Sequence, residues 1–524
     1  MILRRVARQV LERVESVFDV VFTPAYNPLY YLGALGWFFY WIVIASGIYL
    51  YIFFDTGVTQ AYESVEQLTH AQWYAGGIMR SLHRYASDAL VLVMIVHLLR
   101  EYLLDRLRGA RWFAWVVGVA ILWLVFASGI SGYWVVWDRL AQYVAIATSE
   151  WLDTLGLFGE PIARNFAHDT TLSGRFFTLM VFIHIAVPLL LLFVLWIHII
   201  RHAHPKVNPP RALAIGSLLT MLALSIASPA LSQGPADLNT VPARVGLDWF
   251  YLALYPLLDR YSGLAVWAIV GVATFLLVLL PWLPPLRRPA VARVDLSNCN
   301  GCGRCAVDCP YSAISMEPRS DQTSFSREAV VDAARCVSCG VCVGSCPTAT
   351  PYRRRTPLSP GIDLPDADLK TVREQTMAVT QSLHGDGRVL VYGCEHGADL
   401  NRHSSDSVGI VTLPCVANLP PAFLDLVISR KLADGVMLTG CRGGDCHYRL
   451  GITWTEQRIA RERDPMLRER VPRERIEACW AGVDRGRQLS AALMSFQERL
   501  EQMGPFERER ARRAPVEKEA APSG

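Results

Sequence analysis

Six long apolar runs occupy the first 290 of the 524 residues, at about 32–54, 86–104, 113–137, 176–200, 212–231 and 262–284. Each approaches or exceeds the roughly 20 residues that a helix needs to cross a bilayer, so the pattern predicts six membrane spans. The first run lies too deep for a signal peptide and lacks a small-residue cleavage site. Ahead of it Val6, Val10, Val14, Val17 and Val21 recur at helical spacing among Arg and Glu. That predicts an amphipathic helix lying on the cytoplasmic membrane face. After residue 290 the pattern changes. Short β-rich runs at 388–392, 409–413 and 435–439 alternate with helical stretches, which predicts a small α/β domain.

These shifts divide the chain into a membrane domain (1–290), a cysteine-dense block (291–350), a Pro-punctuated linker with one helical stretch (351–387), the α/β domain (388–490) and a charged helical or disordered tail (491–524). Charged residues make up only 19% and hydrophobic ones 52%. Soluble chains carry about 25% charge, so part of this one faces lipid. The net charge of +4 gives no case for nucleic-acid binding. Arg4, Arg5, Arg8, Arg13, Arg100, Arg106, Arg108, Arg111, Arg201, Lys206, Arg211, Arg287, Arg288 and Arg293 fall on one side of six spans. The longer loops opposite carry only Arg80, Arg139, Arg164, Arg175, Arg244 and Arg260. The positive-inside rule then puts both termini in the cytoplasm of a prokaryotic cell, with the chain multi-pass in its inner membrane. None of the 13 cysteines precedes Cys299. That fits metal clusters in a reducing compartment and excludes a secreted disulfide framework.

Ionisable residues inside spans are functional candidates. His83 and His97 lie 14 apart in the second span, and His184 and His198 lie 14 apart in the fourth. Fourteen residues bring a helix back to within about 40° and advance it about 21 Å. Each helix therefore offers one imidazole near each membrane surface on a single face. Two such helices side by side make two stacked bis-histidine sites, and haem iron accepts imidazole axially. Gly33 and Gly47 in the first span, and Gly118 and Gly132 in the third, repeat the same interval. Glycine lets a flat macrocycle pack on backbone.

Residues 1–290 resemble cytochrome b of bc-type complexes through its first six helices. Arg80 before His83, Arg100 after His97, Gly132-Tyr133 and Arg175-Phe176-Phe177 carry the likeness. The resemblance implies an all-α six-helix membrane bundle holding two haem b. His83 with His184 would hold the outer haem and His97 with His198 the inner one. Arg80 and Arg100 would be cofactor-binding, Arg80 meeting a propionate. Where the family carries Pro-Glu-Trp-Tyr at its outer quinol site, this chain reads Leu247-Asp248-Trp249-Phe250, so Asp248 is the candidate proton acceptor. An Asp capping a short helix is the competing reading. His202, with Lys206 or Asn208, is the candidate for an inner quinone site, and snorkelling interface residues are the equal competing reading.

Cys299, Cys302, Cys305 and Cys309-Pro310 recur 37 residues later as Cys336, Cys339, Cys342 and Cys346-Pro347. This internal repeat has the spacing of bacterial two-cluster ferredoxins, an α+β fold, in which the fourth cysteine of each run serves the other cluster. One [4Fe-4S] cluster would take Cys299, Cys302, Cys305 and Cys346. The second would take Cys336, Cys339, Cys342 and Cys309. A zinc ribbon lacks this doubled spacing.

Cys394, Cys415 and Cys441 each follow a β-like run, and Cys446 lies five further on. Strand ends converge on one edge of an α/β sheet, where four thiolates suit one [2Fe-2S] cluster. Residues 388–485 resemble the delta subunit of methyl-viologen-reducing hydrogenases through Gly397-Ala398-Asp399-Leu400, Pro414-Cys415 and Gly440-Cys441 to Cys446-His447-Tyr448. The likeness implies that [2Fe-2S] cluster and a flavoprotein partner of the heterodisulfide-reductase type. A zinc or docking module is the alternative. Cys479 falls outside the motif.

The multidomain chain therefore reads as an oxidoreductase subunit active within a complex. It would couple cytoplasmic heterodisulfide-reductase-like or hydrogenase-like subunits to the quinone pool, with membrane lipid around it. A homodimer is compatible with the cytochrome b resemblance. The alternatives are a bc-type quinol-oxidising core needing a separate Rieske partner, and a non-catalytic membrane anchor.

Overall fold

Helices that are apolar on nearly every face must bury themselves in lipid or in one another. The computed structural model describes residues 2–166, 172, 174–201, 203–242, 244–283, 289–352 and 358–506. It divides into two units, Met1–Arg288 with Pro310–Ser312, and Pro289–Cys309 with Ala313–Gly524.

The first unit is helical. Its elements are α1 (Ile2–Tyr26), α2 (Leu32–Ile52), α3 (Gln60–His70), α4 (Ile78–Leu103), α5 (Trp112–Val136), α6 (Arg139–Asp153), α7 (Gly174–Ile199), α8 (Arg211–Ala227), α9 (Tyr255–Leu258) and α10 (Gly263–Leu279). Among the described residues five segments are long and apolar enough to cross a membrane: Leu32–Ile52, Trp73–Leu103, Gly109–Val136, Phe177–Ile199 and Gly263–Trp282. The sixth expected span is shorter than its apolar run. It forms α8, whose 17 residues rise about 26 Å, less than the roughly 30 Å of hydrocarbon. Ser228 precedes Pro229 and leaves the helix at φ −140°, as residues before proline tend to.

The bundle pairs α2 with α4 and α5 with α7. Leu35, Phe39, Tyr40, Leu90, Val91, Ile121, Val125 and Leu191 lie in its core. In α7, Pro188 removes the N–H that the His184 carbonyl would accept. The Pro188 carbonyl itself accepts from Tyr40 at 3.0 Å. Helix α1 turns three carboxylates inward. Glu12, Glu15 and Asp19 are buried, whereas Val6, Val10, Val14, Val17 and Val21 are all exposed. Glu15 pairs with Arg100 at 2.8 Å. Asp19 accepts from Asn27 at 2.8 Å and from Tyr30 at 3.0 Å.

The second unit begins with the cysteine block. Strand β1 (Arg293–Val294) leads to α11 (Arg304–Asp308), the antiparallel pair β2 (Ile314–Pro318) and β3 (Arg327–Val331), and α12 (Val341–Ser345). Strand β4 (Ile362–Asp363) pairs antiparallel with β1. Helices α11 and α12 start 37 residues apart, each after a glycine at φ 76°, Gly303 and Gly340. A left-handed residue at those turns is what glycine supplies.

Helix α13 (Leu369–Gln381) lies in the expected linker and packs on the following sheet. Its Thr376 meets Tyr392 at 2.8 Å. The sheet contains β5 (Val389–Cys394), β6 (Val408–Leu413), β7 (Gly435–Thr439) and β8 (Ile476–Cys479). Its order is β6-β5-β7-β8, all parallel. Helices α14 (Ala422–Ser429), α15 (Gly451–Ala460) and α16 (Gly486–Met503) complete the domain. Helix α16 runs across the expected boundary at 490 and buries Leu489, Leu493, Phe496 and Leu500 in the core with Val389, Val391 and Met437. Residues 507–524, the end of the expected tail, lie outside the described residues.

Candidate functional site

In the first unit, the rings of His83 and His184 face one another with centroids 6.3 Å apart. Two metal–imidazole bonds of about 2.0 Å, plus about 1.1 Å from each nitrogen to its ring centre, span roughly that distance. His83 Nδ1 lies 3.0 Å from the Val43 carbonyl and 3.1 Å from Ser46 Oγ. His184 Nδ1 lies 3.1 Å from the Ser128 carbonyl and 3.2 Å from Ser131 Oγ. A carbonyl only accepts, so each Nδ1 carries the proton and each Nε2 keeps its lone pair for a metal. Partners of this kind fix the ring and raise its basicity as a ligand. The serines were not singled out in the sequence, yet a signal was present: Ser46-Gly47 and Ser131-Gly132 are the same dipeptide in spans one and three.

Each of the four glycines faces its own histidine. A Cβ on Gly132 would fall 2.9 Å from His184 Cε1, and one on Gly47 3.0 Å from His83 Cε1. On Gly33 it would meet His97 at 3.6 Å, and on Gly118 His198 at 3.9 Å. The glycines make room for imidazole rings, tightly at one end of the helices and loosely at the other. The donor set, the fixed tautomers and the ring spacing all fit a bis-imidazole haem at His83 and His184.

Arg80 bonds Thr69 at 2.5 Å and Ser232 at 2.7 Å, and lies 3.4 Å from Glu66. Arg100 is buried against Glu15. Asp248 accepts from Arg84 at 2.6 Å, from Tyr133 and from the Phe250 N–H at 2.6 Å. The last bond closes a local turn over the following residues. His202 lies outside the described residues.

A cavity of about 770 Å³ opens between α5, α6, α7 and α10. Trp123, Trp134, Trp151 and Trp267 line it, together with Ser131. Trp151 and Trp267 stack at 4.2 Å, and both indole N–H groups reach backbone carbonyls. Trp134 Nε1 is buried with no hydrogen-bond partner among the described residues. Asp248 is not among the lining residues.

In the second unit, Cys299, Cys302, Cys305 and Cys346 line one small pocket. Burial, reinforced by Cys346, Cys302 and Cys299, pushes the Cys305 thiol up to about 12. Burial beside Cys339, Cys305, Cys336 and Cys309 likewise raises Cys342. Crowded thiols of this kind become thiolates when a cationic cluster binds them. Both sets fit a cubane cluster.

The third set gathers where the parallel sheet changes direction. From β5 the chain passes to β6 on one side, then across to β7 on the other. Cys394 ends β5, and Cys415 and Cys441 each stand two residues beyond a strand. Such a switch point is the usual ligand edge of an α/β sheet. Cys394 Sγ lies 3.9 Å from Cys441 Sγ. Gly451, the first residue of α15, admits the other two: a Cβ there would lie 2.5 Å from Cys415 Sγ and 3.3 Å from Cys446 Sγ. Hydrogen bonds with Cys415 and Cys441 pull the Cys394 thiol down to about 4. Those same bonds raise Cys415 and Cys441. The positive N-terminal end of α15 also favours thiolate here. Four convergent sulfurs fit a thiolate-held iron–sulfur centre. Cys479 is buried in the core beside α16.

Three family models match the chain. Residues 17–204 match cytochrome b/b6/petB, 298–350 a 4Fe-4S dicluster domain, and 389–504 the methyl-viologen-reducing hydrogenase delta subunit. The order is the one the sequence resemblances predict. The cytochrome b match ends before α8. A chain of a hyperthermophilic respiratory Complex III is 19% identical, covering 49% of this chain and 75% of its own, with a TM-score of 0.41. Cytochrome b, dicluster ferredoxin and hydrogenase delta-like segments in one chain make this an integral membrane electron-transfer subunit.

Proposed function

We propose that this subunit exchanges electrons between a cytoplasmic redox complex and the quinone pool. A heterodisulfide-reductase-like or hydrogenase-like partner docks at the delta-like domain. With α8, at 17 residues the shortest span, as the sixth crossing, both termini face the cytoplasm. Haem at His83/His184 and His97/His198, two [4Fe-4S] clusters and a [2Fe-2S] cluster on Cys394, Cys415, Cys441 and Cys446 supply one-electron carriage when bound. One contact carries the quinone reading: Ser131 lines the cavity, and its hydroxyl lies 3.2 Å from His184 Nδ1. The apolar walls bury a quinone ring, and Ser131 links that ring to the histidine.

The test uses the detergent-purified chain, reduced with dithionite, and decylubiquinone or menadione as acceptor. Haem reoxidation is followed optically. Trp134→Phe keeps the haem content and raises the quinone KM about 5-fold, the effect of apolar wall area lost from the cavity. An unchanged KM would remove the cavity from the account.

Asp248 distinguishes the bc-type alternative. The Asp248 carboxylate is engaged by Arg84, Tyr133 and the Phe250 N–H, and it is not among the residues that line the cavity. Asp248→Asn therefore lowers thermal stability by about 1–3 kcal/mol and leaves quinone-dependent reoxidation within about threefold. Loss of quinol oxidation by two orders of magnitude would instead support the bc-type core.

A further inference from the structure

The repeat that builds the ferredoxin segment brings two equivalent positions together. Asp308 precedes Cys309, and Ser345, 37 residues later, precedes Cys346. The Ser345 hydroxyl donates to Asp308 at 2.6 Å. Arg458 of α15 enters this junction from the delta-like segment. Its side chain is 1% exposed. One Nη donates to both Asp308 and Ser345 at 2.6 Å, and the other to the Ala417 carbonyl at 3.3 Å. Arg463 also pairs with Asp308, at 2.5 Å, and lies 3.4 Å above the Trp454 ring.

Two guanidinium groups thus share one carboxylate, which leaves one net positive charge at a buried contact. An arginine cannot shed that charge. The contact lies between two thiol sets. Ala417 is two residues beyond Cys415, and its turn, Val416–Asn418, packs on α12, which carries Cys342. The Arg458 Nε is buried with no hydrogen-bond partner among the described residues.

We infer that Arg458 is a positioning residue. It joins the Cys394–Cys415–Cys441–Cys446 site to the ferredoxin cluster on Cys336, Cys339, Cys342 and Cys309, and its surplus charge holds up the reduction potential of the thiol site. This rests on the proposed reading of that quartet as a redox centre. The step it serves is exchange of one electron: one centre is oxidised as the other is reduced, and no bond or proton changes place. Reduction adds negative charge beside a fixed cation, so removing the cation makes reduction harder.

The test is an EPR-monitored redox titration of the purified full chain. Arg458→Gln leaves Asp308 paired with Arg463 and removes the surplus charge. It lowers the reduction equilibrium of the quartet centre about tenfold, or about 59 mV for one electron. Arg458→Lys restores most of that shift. Asp308→Asn adds positive charge and moves the potential the other way. If Arg458→Gln fails to fold, the upward shift in Asp308→Asn decides alone. A third iron–sulfur EPR signal, beside those of the two ferredoxin clusters, whose potential ignores the substitutions overturns this inference and leaves the quartet reading intact. No third iron–sulfur signal in the unaltered chain overturns both.

Discussion

Replacing Gly132 with valine is expected to cost the chain one of its proposed haems. Even a single Cβ there would stand 2.9 Å from His184 Cε1. The ring cannot retreat freely, because its Nδ1 is bonded to the Ser128 carbonyl and Ser131. A branched side chain drives the imidazole off its axis and away from His83, now 6.3 Å distant between ring centroids. The haem-to-chain ratio of purified Gly132→Val should fall from two to one. Gly118→Ala is the control. Its Cβ would meet His198 only at 3.9 Å, an ordinary contact, and both haems should remain. Equal haem loss in the two variants would mean that the glycines govern helix packing in general, not the histidine rings.

The second large effect lies in the cysteine-bearing unit. Gly344 on α12 stands so close to the following domain that a Cβ would overlap the Ala417 carbonyl oxygen and reach 2.6 Å from Arg458 Nη1. Neither atom yields easily. The carbonyl belongs to the turn after Cys415, and the guanidinium is held by Asp308 and Ser345. Overpacking usually costs about 1–3 kcal/mol and more against backbone. Gly344→Ala should therefore lie at the top of that range, lowering the melting temperature of the unit by about 6–12 °C. Loss of the visible iron–sulfur absorbance on heating measures this. Gly443→Ala, whose Cβ meets nothing nearer than Trp480 at 4.0 Å, should melt like the unaltered chain.

What was legible in the sequence was whatever a rigid local geometry imposes on spacing. The helix pitch sets the 14-residue intervals of histidine and glycine, and cluster size sets the cysteine runs. The alternation of strand and helix placed Cys394, Cys415 and Cys441 at strand ends that the parallel sheet then brings to one edge. The apolar run to 231 overstates α8, because Pro229 follows the C-cap Ser228 and ends the helix. The expected boundary at 490 falls inside α16: the charged surface of that stretch reads as a helical or disordered tail, while Leu489, Leu493, Phe496 and Leu500 have the spacing of a buried face. Other features had no local signal. Asp248 meets Arg84 and Tyr133, which lie more than 100 positions earlier in the chain. Arg458 meets Asp308 across 150 positions. Pairings of that range are decided by tertiary packing, and the sequence holds only the partners.

Four histidines at one spacing are proposed to hold two haems in a chain that also carries iron–sulfur centres. A pyridine haemochrome spectrum of the detergent-purified full chain, set against its protein and iron content, tests this most directly. Two b-type haems per chain are expected. A preparation that keeps its iron–sulfur iron but shows no haem would contradict this reading and reduce the membrane half to an anchor.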